Sequence, residues 1–270
     1  MFYLKHSENN LFIGHFSIFP DDSAIHAIST RFGGVSKAPY DTLNLALHVG
    51  DDIHDVIENR RLFSEAIGIN CNNIVTPEQV HSDAVYKVTK KDMGRGSKSY
   101  DDAVAETDAL MTDERMIPIM LCYADCTPII LLDPIRHAAA IAHGGWKGTL
   151  KSIAAKTVAA MRESYGSNPK DILAGIGPAI GPCCYDVNDE VADLFSDSFP
   201  EIADKVIKRK NNKIKIDLWE LNRWQLEKAG LRKKHIDMAN ICTYDNSDVF
   251  YSYRKDSGRT GRIAALIAIK

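Results

Sequence analysis

Residues 124–148 read "ADCTPIILLDPIRHAAAIAHGGWKG". Two short apolar runs stand on either side of "DPIR", a pattern that predicts a β-hairpin inside a mid-chain core at 117–143. Pro134 suits the first central position of a type I turn because its φ is already fixed. Pairing Asp133 with Arg136 across that turn brings Cys126 directly opposite His143, on one face, with Cβ atoms about 4.5–5.5 Å apart. A thiolate and an imidazole at that separation can share a metal ion or hydrogen-bond each other. A bulge would shift the register, and a two-residue type I loop is not the favoured hairpin connection. The plain alternative is a small buried thiol beside a core histidine. Against it, both residues sit at strand ends next to turn formers (Asp125, Gly144 and Gly145), where sites are usually built.

"HGGWKGT" leads into a helix expected from Thr149 to Tyr165, with Ile153, Ala154, Val158 and Met161 on one face. Its glycines either let backbone N–H groups face an anion or serve close strand–helix packing. Lys147 precedes Gly148, so the order of a nucleotide-binding P-loop is missing.

Elsewhere strands and helices alternate irregularly. "IHAISTR" at 25–31 reads as a strand, and 54–67 as an amphipathic helix stopped by Gly68. Two short strands are expected around Pro77, with His81 near the start of the second. The polar, glycine-containing segment 90–112 reads as a mobile surface loop. "DILAGIGPAIGPCCYDV" reads as a strand entering a Gly/Pro loop. Helices are expected near 187–196 and 218–229, and "RIAALIAIK" closes the chain as a buried strand. No composition break suggests a boundary, so residues 1–270 are read as a single α/β domain.

Hydrophobic residues make up 45% and charged residues 26%, an ordinary balance for a soluble protein. The net charge of −3 argues against a nucleic-acid partner. No run approaches a membrane span, and "MFYLKHSENN" is too polar for a signal peptide. The six cysteines read as reduced thiols, with Cys183 and Cys184 adjacent, which points to a cytoplasmic protein. Oligomeric state is not legible.

"TRFGGVS", "NLALHVGDD", "EQVHSD", "TDALMT", "ADCTPIIL", "AHGGWKGT", "GIGPAIGPCCYDV" and "YSYRKDSGRTGR" resemble, in order, the motifs of the laccase-domain family, also called the purine nucleoside phosphorylase YfiH family. The likeness runs from about residue 25 to the end. It implies a layered sandwich of mixed β-sheets flanked by helices, similar to a Cys–His toxin deamidase. It also implies a zinc ion held by His81, Cys126 and His143, with copper a less favoured occupant. The implied reactions are phosphorolysis of adenosine, inosine, guanosine and methylthioadenosine, and deamination of adenosine.

Within that resemblance, Cys126 and His143 stand at the reaction centre. Asp125 is read as a proton shuttle or as a group that orients a ligand. Arg31 and Lys147 are expected to neutralise phosphate. Asn44 is a further substrate-binding candidate, and Arg254 and Arg262 in the C-terminal motif are weaker ones. His48 is expected near the site, whereas His26, His54 and His137 are left structural or superficial. The "GIGPAIGPCCYDV" loop is expected to line the pocket, its vicinal thiols being structural. The alternatives are an amide hydrolase acting on a cell-wall precursor with Cys126 as nucleophile and His143 as base, a copper-dependent polyphenol oxidase, and a non-catalytic protein with a structural ion.

Overall fold

A computed structural model describes residues 1–270. Two large sheets face each other. The first is antiparallel throughout, in the order β1 (Phe2–His6), β2 (Phe12–Phe16), β3 (Ala24–Ser29), β14 (Ile263–Ile269), β6 (Ile119–Tyr123). The second is mixed, in the order β13 (Ile236–Met238), β9 (Leu173–Ile176), β7 (Thr127–Asp133), β8 (Ala138–Gly144), β5 (Ala109–Thr112), β4 (Val85–Lys87). Its two edge pairings are parallel and the inner ones antiparallel. A small third sheet joins β10 (Asp186–Val187), β12 (Lys213–Ile216) and β11 (Ile207–Lys210).

The layering follows from the period-two alternation of strand side chains. In β14, Ile263, Ala265, Ile267 and Ile269 face the second sheet, where they meet Ile130, Leu132, Ala139 and Ile141. The intervening Ala264 and Leu266 face outward onto Phe63 of α1 (Ile53–Ala66). On the far side, Ile129, Leu131, Ala140 and Ala142 pack on Ile153 and Val158 of α3 (Ile153–Tyr165) and Leu226 of α6 (Leu218–Lys228). Helix, sheet, sheet and helices therefore stack in four layers, the α/β sandwich expected. Both faces of the central strands are covered, which is why their sequences are almost continuously apolar. The helices α4 (Asp189–Ser198) and α5 (Ala203–Val206) pack with α6 and the small sheet in a separate apolar cluster. No helix is long and apolar enough to cross a membrane.

The hairpin register differs from the expected one by two residues. Asp133 pairs with Ala138 and Pro128 with His143, so Cys126 is not opposite His143. The loop is Pro134–His137, not two residues. Asp133 Oδ1 accepts from the N–H groups of Ile135 and Arg136, and His137 closes the turn at φ +49°. A shift of two preserves the face, so both residues still lie at the same end of the sandwich.

Other segments also depart from expectation. "GGWKG" is itself helical: α2 (Trp146–Leu150) precedes α3, and Ser152 at φ +63° breaks them apart. A Cβ on Gly148 would lie 3.0 Å from the His143 carbonyl oxygen and 3.2 Å from that of Ser82, so close packing fixes this glycine. His81 stands in a loop at φ +60°, ahead of β4, not in a strand. The segment 90–112 is not a free surface loop: Asp92, Ala103, Val104, Thr107 and Asp108 are buried, and it ends in β5.

Candidate metal centre

The chain leaves the first sheet at Tyr123 and enters the second at Thr127. Cys126 therefore rides the short crossover between the two sheets. Asp125 turns this crossover at φ +80°. Its carboxylate accepts from Thr243 Oγ1 at 2.7 Å and from the Arg254 backbone N–H at 2.7 Å. These bonds tie the crossover to the 243–254 segment.

His143 lies near the C-terminal end of β8 and is 4% exposed. Beside it, Ala109 of β5 pairs with Ala142, which sets Asp108 next to His143. Asp108 is fully buried and gathers the site. Its Oδ1 lies 2.8 Å from His143 Nδ1 and accepts from the His81 N–H; its Oδ2 accepts from the N–H groups of Val80 and Ser82 and from Ser82 Oγ. One carboxylate thus holds both the buried histidine and the loop that carries the exposed one. Gln79 anchors the same loop by exchanging two hydrogen bonds with the Cys122 backbone.

His81 Nε2 lies 3.9 Å from Cys126 Sγ, and the donor atoms of His81, Cys126 and His143 all fall within 4.8 Å of one another. An ionised carboxylate only accepts, so His143 Nδ1 carries the proton toward Asp108 and Nε2 is left to bind an ion. Gly145 keeps this space open: a Cβ there would lie 3.0 Å from His81 Cδ2 and 3.1 Å from Cys126 Sγ. Two imidazoles and a thiolate form a set that can hold a metal ion, and three protein donors leave a fourth position for water or substrate.

Charge supports the same arrangement. Burial alone would raise the Cys126 thiol, but the His143 charge and hydrogen bonds from both histidines outweigh it and bring the pKa to about 6. Burial likewise opposes a charged His143, yet the Cys126 thiolate and Asp108 carry it up to about 9. Asp108 remains below the usual carboxylate range because its His143 and Ser82 donors overcome its burial. Without an ion, the geometry is that of a thiolate–imidazolium pair backed by a carboxylate.

The other candidates are distributed around this centre. Arg31 is engaged by the Asp41 carbonyl and carboxylate and the Ser247 carbonyl, and lies over the Tyr251 ring. Asn44 is fully buried, bonded to Ala46, Asp51 and the Arg262 N–H. Lys147 is exposed in α2. Arg254 is exposed, over the Tyr185 ring and bonded to the Asp186 carbonyl. Burial, with the charges of Arg262, Arg60 and His143, lowers His48 to about 4, and its ring lies 5.0 Å from that of Tyr100. A recess of about 750 Å³ lies against β1 and β2, lined by His6, His15 and His26 among others, and contains none of the three donors.

Sequence reasoning missed Asp108. It stands in "TDALMT", and extending the register of the second sheet by one residue beyond the Ala109–Ala142 pair would have placed it beside His143. The segment's polarity hid that.

A thiol and two imidazoles meeting where the chain crosses between two facing sheets make a candidate three-donor metal centre on an α/β sandwich. The chain belongs to the multi-copper polyphenol oxidoreductase laccase family, whose model matches residues 25–270. It is 38% identical to the purine nucleoside phosphorylase YlmD of Bacillus subtilis, over 91% of this chain and 88% of that protein. It is 40% identical to the YlmD of Geobacillus stearothermophilus of the same description, over 92% and 91%. The crystal structure of YlmD from Geobacillus stearothermophilus superposes with a TM-score of 0.94 at 36% identity, covering 100% of both chains. That of the Bacillus licheniformis protein YfiH gives 0.89 at 39%, covering 92% and 93%.

Proposed function

We propose that residues 1–270 act as one zinc-dependent, cytoplasmic purine nucleoside phosphorylase, taking adenosine, inosine, guanosine or methylthioadenosine and phosphate to the free base and the sugar 1-phosphate, with adenosine deamination as a second reaction. The observation that carries this reading is the convergence of His81, Cys126 and His143 on one space, in a chain whose relatives are described as purine nucleoside phosphorylases across nine-tenths of its length. Zinc suits one thiolate and two imidazoles. Copper is a less favoured occupant, because oxygen reduction by a laccase uses several coppers and the second donor cluster of the chain contains no histidine. A bound zinc ion would supply a positive centre that polarises a reactant or holds a phosphate oxygen.

In phosphorolysis a phosphate oxygen attacks the anomeric carbon, the bond to the purine nitrogen breaks, and its electron pair leaves with the base, which takes up a proton. The chain has to hold a dianion and orient the sugar beneath it. Lys147 and Arg254, with exposed side chains, are the groups we assign to phosphate. Arg31 and Asn44 contribute by shaping the loop between β3 and α1, given the backbone partners they hold. Asp125 positions Cys126 through its bonds to Thr243 and Arg254.

The test is chromatography of adenosine incubated with and without phosphate, beside a Cys126→Ala control. Phosphate-dependent adenine that disappears in the variant supports the reading. Inosine formed equally well without phosphate would make deamination the principal reaction, and no product from folded, zinc-loaded protein would refute both.

One arrangement favours a second reading. Cys126, His143 and Asp108 stand in line as a nucleophile, base and orienting carboxylate would. An amide hydrolase of this kind predicts covalent trapping of Cys126 by an amide-directed electrophile in metal-free protein, and activity that zinc inhibits.

A further inference from the structure

A second donor cluster lies outside the centre just described. The turn after β9 brings Cys183 and Cys184 together, with the Cys184 and Tyr185 N–H groups both donating to the Gly181 carbonyl. Opposite, Cys242 and Asp245 sit on the segment leading toward the crossover. Ala179 and Cys242 form an isolated bridge, and the Thr243 N–H donates to the Ala179 carbonyl, so the two segments are fixed against each other. Cys183 Sγ donates to one oxygen of Asp245 at 3.0 Å and Cys184 Sγ to the other at 3.1 Å. Cys242 Sγ accepts from the Gly181 N–H at 3.2 Å.

We infer that Cys183, Cys184, Cys242 and Asp245 form a second metal site, a closed structural site for a soft divalent ion such as zinc. Their donor atoms lie within 4.8 Å of one another. Tetrahedral zinc with sulfur bonds of about 2.3 Å needs donors about 3.8 Å apart, so sub-ångström to one-ångström side-chain shifts bring them to bonding distance. Three thiolates and a carboxylate outnumber the ion's charge, and cations stand by: Lys215 Nζ donates to the Cys183 carbonyl and Lys255 Nζ to that of Tyr244. Four protein donors leave no open position, unlike the His81–Cys126–His143 set, so the role is to clamp. The clamp lies next to the catalytic candidates. Thr243, adjacent to Cys242, holds Asp125, and the Ile180 N–H donates to the Asp125 carbonyl. An ion there would pin both segments that fix the crossover carrying Cys126. All three cysteines are free thiols, and Cys183 and Asp245 are exposed, so an ion has a route in.

The experiment counts zinc per chain and follows which thiols it protects. Wild-type protein dialysed against Zn2+ is expected to hold two equivalents, Cys126→Ser one, and Cys183→Ser/Cys184→Ser one. Co2+ loaded into Cys126→Ser should give the intense sulfur-to-cobalt charge transfer of a thiolate-rich tetrahedral site. In wild-type protein, which requires no folded variant, Zn2+ should block iodoacetamide alkylation of Cys183 and Cys184 and EDTA should restore it, as read by peptide mass spectrometry. Cys126→Ser protein without zinc, or alkylation of Cys183 that Zn2+ leaves unchanged, would overturn the site.

Discussion

Asp108→Asn tests how the metal centre is organised. The side chain is fully buried and accepts on both oxygens. Oδ2 faces the donors of Val80 and Ser82, including Ser82 Oγ, and Oδ1 faces the His81 N–H and His143 Nδ1. The amide NH2 of asparagine cannot accept, so it will take the Oδ1 position, where fewer donors oppose it. That strands the part-buried His81 N–H, a loss at or below the low end of the about 1–3 kcal/mol that a fully buried donor costs. It also turns His143 around electronically: Nδ1 must now accept, and the proton moves to Nε2, the nitrogen that should bind the ion. Loss of such an orienting partner typically lowers metal affinity about 10–100-fold, or about 1.4–2.7 kcal/mol. A midpoint drop of about 2–4 °C per kcal/mol should accompany it. The assay is competition for Zn2+ against a chromophoric chelator, with circular dichroism to establish that the variant is folded. Zinc affinity within twofold of wild type in a folded Asp108→Asn protein would refute the account of His143 and its tautomer.

Gly145→Ala should weaken zinc binding and phosphorolysis together, because the added methyl would lie 3.1 Å from Cys126 Sγ and 3.0 Å from His81 Cδ2; unchanged zinc stoichiometry and rate would contradict it. His26 sets an acid limit on stability. Its Nε2 accepts from the Phe16 N–H at 2.8 Å, and burial together with the His15 charge lowers it to about 3. Above the unfolded value near 6.5 both states are neutral and the contribution is complete. As pH falls toward 3 only the unfolded chain takes the proton, so stability declines by about 1.4 kcal/mol per pH unit. Urea midpoints at several pH values should show a steeper acid decline in wild type than in His26→Gln, and identical slopes would argue against it. Leu266→Ala, at a fully buried position between α1 and the first sheet, should cost about 2–5 kcal/mol by denaturant unfolding; a cost under about 1 kcal/mol would mean that this layer is loosely packed.

How far the sequence could be read depends on whether local or distant contacts decide. The "RIAALIAIK" strand was legible because covering both faces of a central strand demands a continuous apolar run, and Ile263–Ile269 is buried throughout. Amphipathic α1 with its Gly68 stop was legible for equally local reasons. The strand β1, with its mostly exposed pattern, gave no comparable signal. The hairpin register came out two residues off because Asp133 side-chain bonds and left-handed His137 extend the turn. Even so, the conserved face kept Cys126 and His143 at the same end. Positions set by contacts across the chain were not legible: His81 is held by a carboxylate 27 residues away. Its pairing with the other two donors came only from the motif resemblance. The Cys183/Cys184 loop was read as structural, but its partners Cys242 and Asp245 lie too far along the chain for spacing to suggest them.

Adenine release from adenosine and phosphate, measured while zinc is titrated into chelator-stripped protein, tests the central claim most directly. The account predicts no phosphorolysis in the stripped protein and a rate that rises in proportion to occupancy of the Cys126-dependent site, with Cys126→Ala inactive at every zinc concentration. Full phosphorolysis by stripped protein, or none by folded protein with that site filled, would contradict it.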